Sequence, residues 1–407
     1  MNNLGFIEKL LDGVEVEWKA LGDKKFFEVA NSGRKPVKAS LRIAGETPYY
    51  GANNIQDYVD GHTHDGEYAL IAEDGSASLD RYSIQYTSGK FWANNHVHVV
   101  RGLSGVNTRY LYHFLTIVNF IPFLTGGVRA KLTRGSLVDI KIPIPCTDNP
   151  EKSLAIQAEI VRILDAFTAM TAELTAELTA ELNLRQQQYE YYRDQLLSFD
   201  EVNVKYLPMG QEGVGKFVRG SGLQKKDFTE VGVGCIHYGQ IYTHYGTYAN
   251  ETLTFVSSDF AQKARKAQPG DLVIATTSEN DEDVCKAVAW LGGEEIAVSN
   301  DACIYKHNLN PKFVSYYFQT EQFQKQKRQY ITGTKVRRVN ANNLAKTLIP
   351  IPALEEQARI VAILDKFDTL TTSLTEGLPR EIELRQQQYE YYRDLLLSFP
   401  KPKEAVA

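Results

Sequence analysis

Apolar positions recur along two stretches of the chain with the same irregular spacing. In the first, Ile160, Ile163, Phe167, Met170, Leu174, Leu178, Leu182, Tyr189 and Leu196 are separated by steps of 3, 4, 3, 4, 4, 4, 7 and 7 residues. In the second, Ile360, Ile363, Phe367, Leu370, Leu374, Leu378, Ile382, Tyr389 and Leu396 repeat those steps. Threes and fours hold apolar side chains on one face of a helix, so each stretch predicts a long amphipathic helix with a coiled-coil-like seam. The run of fours marks a local change of winding. Each helix is expected to begin beyond an Ile-Pro-Ile-Pro (142–145 and 349–352), because proline is tolerated in a first turn but not in a helix interior. About 45 residues make a rod of roughly 65 Å. A rod with an apolar seam needs a partner, and the other copy is the obvious one. Gly377 and Pro379 predict a kink or brief break in the second helix. The stretches before the two helices carry strand-like runs, KFWANNHVHVV (90–100) and DLVIATT (271–277), and a short helical pattern, YLYHFLTIVNFI (110–121).

The two helices are copies. LRQQQYEYYRDQLLSF (184–199) and LRQQQYEYYRDLLLSF (384–399) agree at fifteen of sixteen positions, and QAEIVRILDAF (157–167) matches QARIVAILDKF (357–367) at the same offset of 200. Farther upstream TGGVRAKLTRGSLVDIKIPIP (125–145) aligns with TGTKVRRVNANNLAKTLIPIP (332–352), and VEVEWKALG (14–22) with VNVKYLPMG (202–210). Between these anchors the likeness fades to fragments such as NNHVHV (94–99) beside SNDACI (299–304). The chain is a tandem duplication of a variable body and a nearly constant helix. The expected fold is α+β: two globular α/β bodies, 1–150 and 200–352, separated by two long paired helices, 151–199 and 353–399, with a short tail at 400–407. In the first helix the seam passes through three Thr-Ala-Glu-Leu repeats, Thr171–Leu174, Thr175–Leu178 and Thr179–Leu182, which keep leucine on one face.

Charge changes the picture only when it is divided among segments. The net charge of −5 argues mildly against nucleic acid. Yet residues 151–199 hold eight acids and four bases, and 354–399 nine acids and five bases, so the remainder of the chain is net positive. Between Gln322 and Leu354 no acid occurs, but Lys325, Lys327, Arg328, Lys335, Arg337, Arg338 and Lys346 do. The matching part of the first body holds Arg129, Lys131, Arg134 and Lys141 against Asp139 alone. A single basic segment reads equally well as a solvated face. Its return at the same place in both copies, each time after a Thr-Gly, points to phosphates. Ser136, Asn340, Asn342 and Asn343 lie close by in sequence, to reach phosphates or base edges.

Other chemistry is not supported. Gly210, Gly215 and Lys216 have phosphate-loop spacing, but Phe217 stands where a magnesium-holding hydroxyl belongs. Gly232 and Gly234 begin no dinucleotide fingerprint. His62, His64 and Asp65, or His96 and His98, read better as surface or packing residues than as metal ligands. The four cysteines (Cys146, Cys235, Cys285 and Cys303) are scattered, which suits a reducing cytoplasm. No apolar run reaches the ~18–20 residues of a membrane helix. A non-catalytic recognition protein, without a cofactor or metal of its own, is the simplest reading.

The duplicated body–helix layout, the Ile-Pro-Ile-Pro before each helix, QAEIVRILDAF/QARIVAILDKF and LRQQQYEYYRD together resemble the specificity subunits of type I restriction–modification systems. The Thr-Ala-Glu-Leu triplet is similar to the IC branch of that family. The resemblance implies that each body is a target-recognition domain for one half of a split, asymmetric double-stranded DNA site, in a bacterial cytoplasm. It also implies that the helices pair antiparallel as a spacer, and that their repeated ends dock two modification (methyltransferase) subunits. S-adenosylmethionine would sit in those partners, and ATP and magnesium in further restriction subunits with translocase and endonuclease activity. On this reading the DNA-contact candidates are Arg129, Lys131, Arg134, Lys325, Lys327, Arg328, Lys335, Arg337 and Arg338. The spacer residues are Thr171, Leu174, Thr175, Leu178, Thr179 and Leu182. The docking candidates are Arg185, Tyr189, Tyr192, Arg193, Arg385, Tyr389, Tyr392 and Arg393. A coiled-coil adaptor with two protein-binding bodies and a stand-alone DNA-binding regulator remain the alternatives.

Overall fold

A computed structural model describes residues 5–126, 130–373 and 375–400. The chain forms two compact units, one of residues 1–175 and 384–407, the other of residues 176–383. The division runs through the helices and not at their ends. Each unit therefore contains one body, the start of the helix that follows it, and the end of the other helix.

In the first unit a four-stranded antiparallel sheet runs in the order Phe27–Val29, Val97–Gly102, Tyr68–Ala72, Ile84–Thr87. One of its two central strands, Tyr68–Ala72, is buried along its whole length, as a continuous apolar run covered on both faces must be. A second four-stranded sheet is formed by Ile55–Val59, Ala44–Tyr50, Lys90–Ala93 and His64–Asp65. The Ile-Pro-Ile-Pro segment is itself a strand, Lys141–Pro145, paired antiparallel with Val16–Ala20. That pairing joins the two fragments, at the ends of the body, that recur in both copies. Proline suits this two-stranded edge, where half of the backbone N–H groups have no ladder partner to lose.

The second unit repeats the plan with larger sheets. One runs Gly215–Arg219, Ala302–His307, Leu272–Ala275, Ala287–Trp290, Tyr248–Ala249, and the other Phe228–Thr229, Thr254–Val256, Val233–Ile236, Ile296–Val298, Lys266–Ala267. The edge pair is Tyr206–Pro208 with Leu348–Pro350.

A short helix ties each body to the helix that follows it. In the first unit Asn107 caps Thr108–Leu115 by accepting from the Arg109 and Tyr110 amides. The Asn107 amide in turn donates to Gln157 Oε1 at 2.8 Å. Asn310 caps Pro311–Tyr317 in the same way, and its amide donates to Gln357 Oε1 at 2.8 Å. About two turns on, Asp165 accepts from Arg109 Nε at 3.0 Å and lies 2.7 Å from His113 Nε2. Its counterpart Asp365 accepts from Lys312 Nζ at 2.8 Å and from Tyr316 Oη at 2.7 Å. The repeated Gln and Asp of the helix sequence are thus anchors, and the intervening Ile160, Leu164, Ile360 and Leu364 are fully buried.

The long helix Pro150–Leu196 has 47 residues. The second is split into Leu354–Thr372 and Leu378–Leu396. Gly377 sits in the gap at φ 86°, and a Cβ there would lie 2.5 Å from the Thr369 carbonyl oxygen, so only glycine fits. In the first unit Phe167 packs on Tyr392 at 6.0 Å, Thr168 Oγ1 lies 3.0 Å from Tyr389 Oη, and Ile163 lines a groove with Leu395 and Leu396. Rising numbers on one helix meet falling numbers on the other, so the pair is antiparallel. In the second unit Phe367 takes the same place against Tyr189 and Tyr192, at 6.4 and 5.8 Å. The expected seam is wrong at Met170, which is 56% exposed. Leu164 and Leu364, absent from the expected seam, are fully buried. Leu374 lies outside the described residues. Among the described residues no helix is long and apolar enough to cross a membrane.

Candidate nucleic-acid interface

In both units the basic segment folds against the same two backbone neighbours. In the first unit the Leu132 amide donates to the Glu73 carbonyl at 2.8 Å, and the Glu73 amide to the His96 carbonyl at 2.8 Å. In the second, the Val339 amide donates to the Thr276 carbonyl at 3.1 Å, and the Thr276 amide to the Asp301 carbonyl at 2.9 Å. The residue before each donor pairs across the same step: Lys131 bridges Asp74, and Arg338 pairs with Thr277. Lys131 and Arg338, Glu73 and Thr276, Asp74 and Thr277, and His96 and Asp301 are therefore equivalent positions on one scaffold. An arginine from another segment closes each cluster, Arg34 after the turn Asn31–Gly33 and Arg219 at the end of Gly215–Arg219. Arg34 donates to the Asn95 carbonyl at 3.4 Å, and Arg219 to the Asn300 carbonyl at 3.1 Å.

The side chains on this scaffold differ. In the first unit Glu73 accepts from Arg34 at 2.5 Å and from Lys131 at 2.9 Å, and His96 Nδ1 lies 2.6 Å from Asp74. Burial opposes ionisation of Glu73, but the hydrogen bonds from Arg34 and Lys131 prevail and hold its carboxyl below the usual range. His98, buried beneath, is bonded to the Leu132 carbonyl at 2.8 Å, and burial pushes its pKa down. In the second unit Arg219, Asn300, Asp301, Thr277 and Arg338 surround a cleft of about 270 Å³. No ion pair ties up Arg219, Asp301 or Arg338 among the described residues.

The expected contact residues separate on this geometry. Arg129 lies outside the described residues. Arg134 is exposed at the start of Arg134–Val138. Lys325, Arg328, Lys335 and Arg338 are exposed, although Arg328 has a long contact, 3.5 Å, with Glu321. Arg337 pairs with Asp281 at 2.8 Å and donates to the Gly333 carbonyl at 2.6 Å, so it braces the basic turn. Lys327, expected among the contact residues, is not one. It is 1% exposed, and its ammonium donates to the Glu282 and Val284 carbonyls, each at 2.6 Å. A cation spent inside on backbone oxygens presents no charge to a ligand. Asn340 is an N-cap, accepting from the Asn343 amide at 2.9 Å, as Thr133 accepts from Ser136 in the other unit. Arg34, Glu73, Asp74, Arg219 and Asp301 were not anticipated. The weak match of NNHVHV to SNDACI was the one trace of this wall of the cleft.

The repeated helix ends also divide. Tyr189 is buried against its own unit, with Oη 3.1 Å from Gln319 Oε1, and Arg193 stacks over it while pairing with Asp194 at 3.0 Å. Arg185 pairs with Glu181 at 2.7 Å, and Arg385 donates to Gln388 at 3.1 Å. Tyr389 is held by Thr168, and Arg393 pairs with Asp394 at 2.7 Å. Tyr192 and Tyr392, each 42% exposed, and the unanticipated Tyr191 and Tyr391, 61% and 53%, form the open aromatic face in both copies. Thr171, Leu174, Thr175, Leu178 and Leu182 are half-buried along Pro150–Leu196, and Thr179 is exposed.

No group of metal-binding side chains assembles among the described residues. His64 stacks on Phe91 and bonds the Ala30 carbonyl at 3.0 Å.

Comparison with known proteins decides what this twice-built scaffold is. The family model described as the type I restriction modification DNA specificity domain matches twice, at residues 14–184 and 208–384. The chain belongs to that family. This specificity chain is 46% identical to a Haemophilus influenzae protein named as type I restriction enzyme specificity subunit S.HindORF215P, over 98% of this chain and 99% of that one. It is 36% identical to the EcoR124I/EcoR124II specificity subunit of Escherichia coli, over 99% of each. A chain from a structural study of complex assembly and conformational transition in the type I R-M system shares its fold, with a TM-score of 0.61 at 14% identity, over 94% of this chain and 97% of that one. The part played by a specificity chain is recognition, not catalysis.

Proposed function

We propose that the body of each unit reads one half of a split, asymmetric duplex-DNA site, and that the two helices set the distance between the halves. One observation carries this reading: the same backbone scaffold is built twice beside a basic segment, and is lined by different side chains. That is what two unlike half-sites require of a duplicated reader. The repeated helix ends, with Tyr191, Tyr192, Tyr391 and Tyr392 outward, would each dock one modification subunit. S-adenosylmethionine would be held by those partners, and ATP and magnesium by restriction subunits, in a bacterial cytoplasm. The test is DNA binding at two salt concentrations for the assembled complex with Lys325 and Lys335, both exposed, changed to alanine. Loss of two phosphate-facing cations should weaken binding and lower the slope of log K against log salt by about two. Arg337, already paired with Asp281, should add little. Unchanged affinity together with lost assembly would make these residues a subunit interface instead.

A further inference from the structure

The cleft of the second unit contains more than a phosphate site needs. Arg219 and Arg338 supply planar donor forks, and Asp301 supplies an acceptor between the strand end and the basic turn. A site for backbone phosphate alone gains nothing from a carboxylate, which repels it. Base edges, by contrast, present donors and acceptors side by side. A guanidinium matches the O6 and N7 of guanine, and a carboxylate accepts from the amino group of cytosine. The equivalent cluster in the first unit has the opposite character. There Glu73 occupies both Arg34 and Lys131, so its cations are spent internally, and Asp74 stands where Thr277 stands in the second unit.

We propose that this cleft is the base-reading site of the second unit, with Arg338 and Arg219 donating to guanine and Asp301 accepting from the amino group of its paired or neighbouring cytosine. The assignment rests on the DNA-recognition reading above and adds to it the residues that select the sequence. The first unit, with its cations neutralised and two carboxylates in the cluster, selects a different pattern in its half-site. Thr277 supports the arrangement: it is buried, its backbone pairs with Arg338, and its hydroxyl lies 3.4 Å from the Asp301 carboxylate.

Methylation mapping of cells that carry the chain with its partner subunits tests the proposal. The wild-type complex must first give a bipartite motif; its absence would refute the DNA reading itself, not this assignment. Arg338→Ala should relax one G·C pair in one half-site by about ten- to a hundredfold and leave the other half-site and the spacing alone. Arg338→Lys should not restore that preference, because the ammonium lacks the planar fork. Asp301→Asn, which keeps the side chain's volume, should relax or change a base in the same half-site. An unchanged motif in both Arg338→Ala and Asp301→Asn would overturn the proposal. So would a uniform loss across all sequences that Arg338→Lys repairs, since that identifies a phosphate contact.

Discussion

Asp165 in the first unit and Lys327 in the second show how single side chains secure each unit internally by different chemistry. Burial opposes ionisation of Asp165, but the hydrogen bonds from Arg109 and His113 prevail and keep its carboxyl below the usual range. Its stabilising effect is therefore complete above the unfolded value of about 4 and is lost as pH falls through the lower folded value. Burial also lowers the pKa of His113, against the pull of Asp165 and with help from Arg109 and Arg393. The unfolded chain takes up that proton first, so stability falls as pH drops below about 6.5. His113→Tyr, which copies Tyr316 of the second unit, should flatten the loss of thermal stability between pH 6.5 and 5. Lys327 is a different case, because its counterpart by repeat position is Phe120, stacked on Tyr82 at 4.7 Å. One unit closes this turn with an aromatic pair and the other with a buried cation on two carbonyls. Lys327→Met should strand those carbonyls and cost about 1–3 kcal/mol, read as a lower urea midpoint and faster hydrogen exchange in residues 279–285. Neither role was legible in the sequence. A lysine in a basic run has the same letter whether it faces solvent or a carbonyl, and only the packing of Glu321–Arg328 turns Lys327 inward while Lys325 and Arg328 stay out.

Among the elements, the helices were the most legible, because a seam repeated at 3- and 4-residue steps has few other solutions. The break at Gly377 was legible for the same reason, since glycine and proline two residues apart have no place in an unbroken rod. Pro379 falls in the first turn of Leu378–Leu396, where proline is tolerated. Gly377→Ala should cost about 1–2 kcal/mol from the positive φ alone and more from the clash with the Thr369 carbonyl. Its thermal unfolding midpoint should fall accordingly. The bodies were less legible. Their strands are short, and pairs such as Thr277–Ser278 with Arg337–Arg338 join segments about sixty residues apart, a contact no local pattern encodes. The cleft is built from four such segments, around Arg219, Thr277, Asp301 and Arg338, so the basic turn was visible in sequence but its acidic and arginine neighbours were not.

For the whole molecule, the duplication implies one reading unit per half-site and a helical ruler between the halves. Deleting Thr179–Leu182 removes four helical residues, ~6 Å of rise and ~40° beyond a full turn. One base pair of B-DNA advances ~3.4 Å and turns ~34–36°. The rotation matches one base pair, and the interrupted second helix can absorb the excess translation. The deletion should shorten the unspecified spacer by one base pair and leave both half-sites intact, as a methylation map would show. The decisive measurement is the same map for a chain in which residues 202–356 are replaced by a second copy of residues 14–156, expressed with its partner subunits. Gln157 and Asp165 of the first helix have counterparts in Gln357 and Asp365, so the transplanted body meets equivalent anchors. The resulting motif should have two halves that are inverted copies of the half-site read by the first unit. A motif that keeps two unlike halves, or that loses its split form, would contradict one reading unit per half-site.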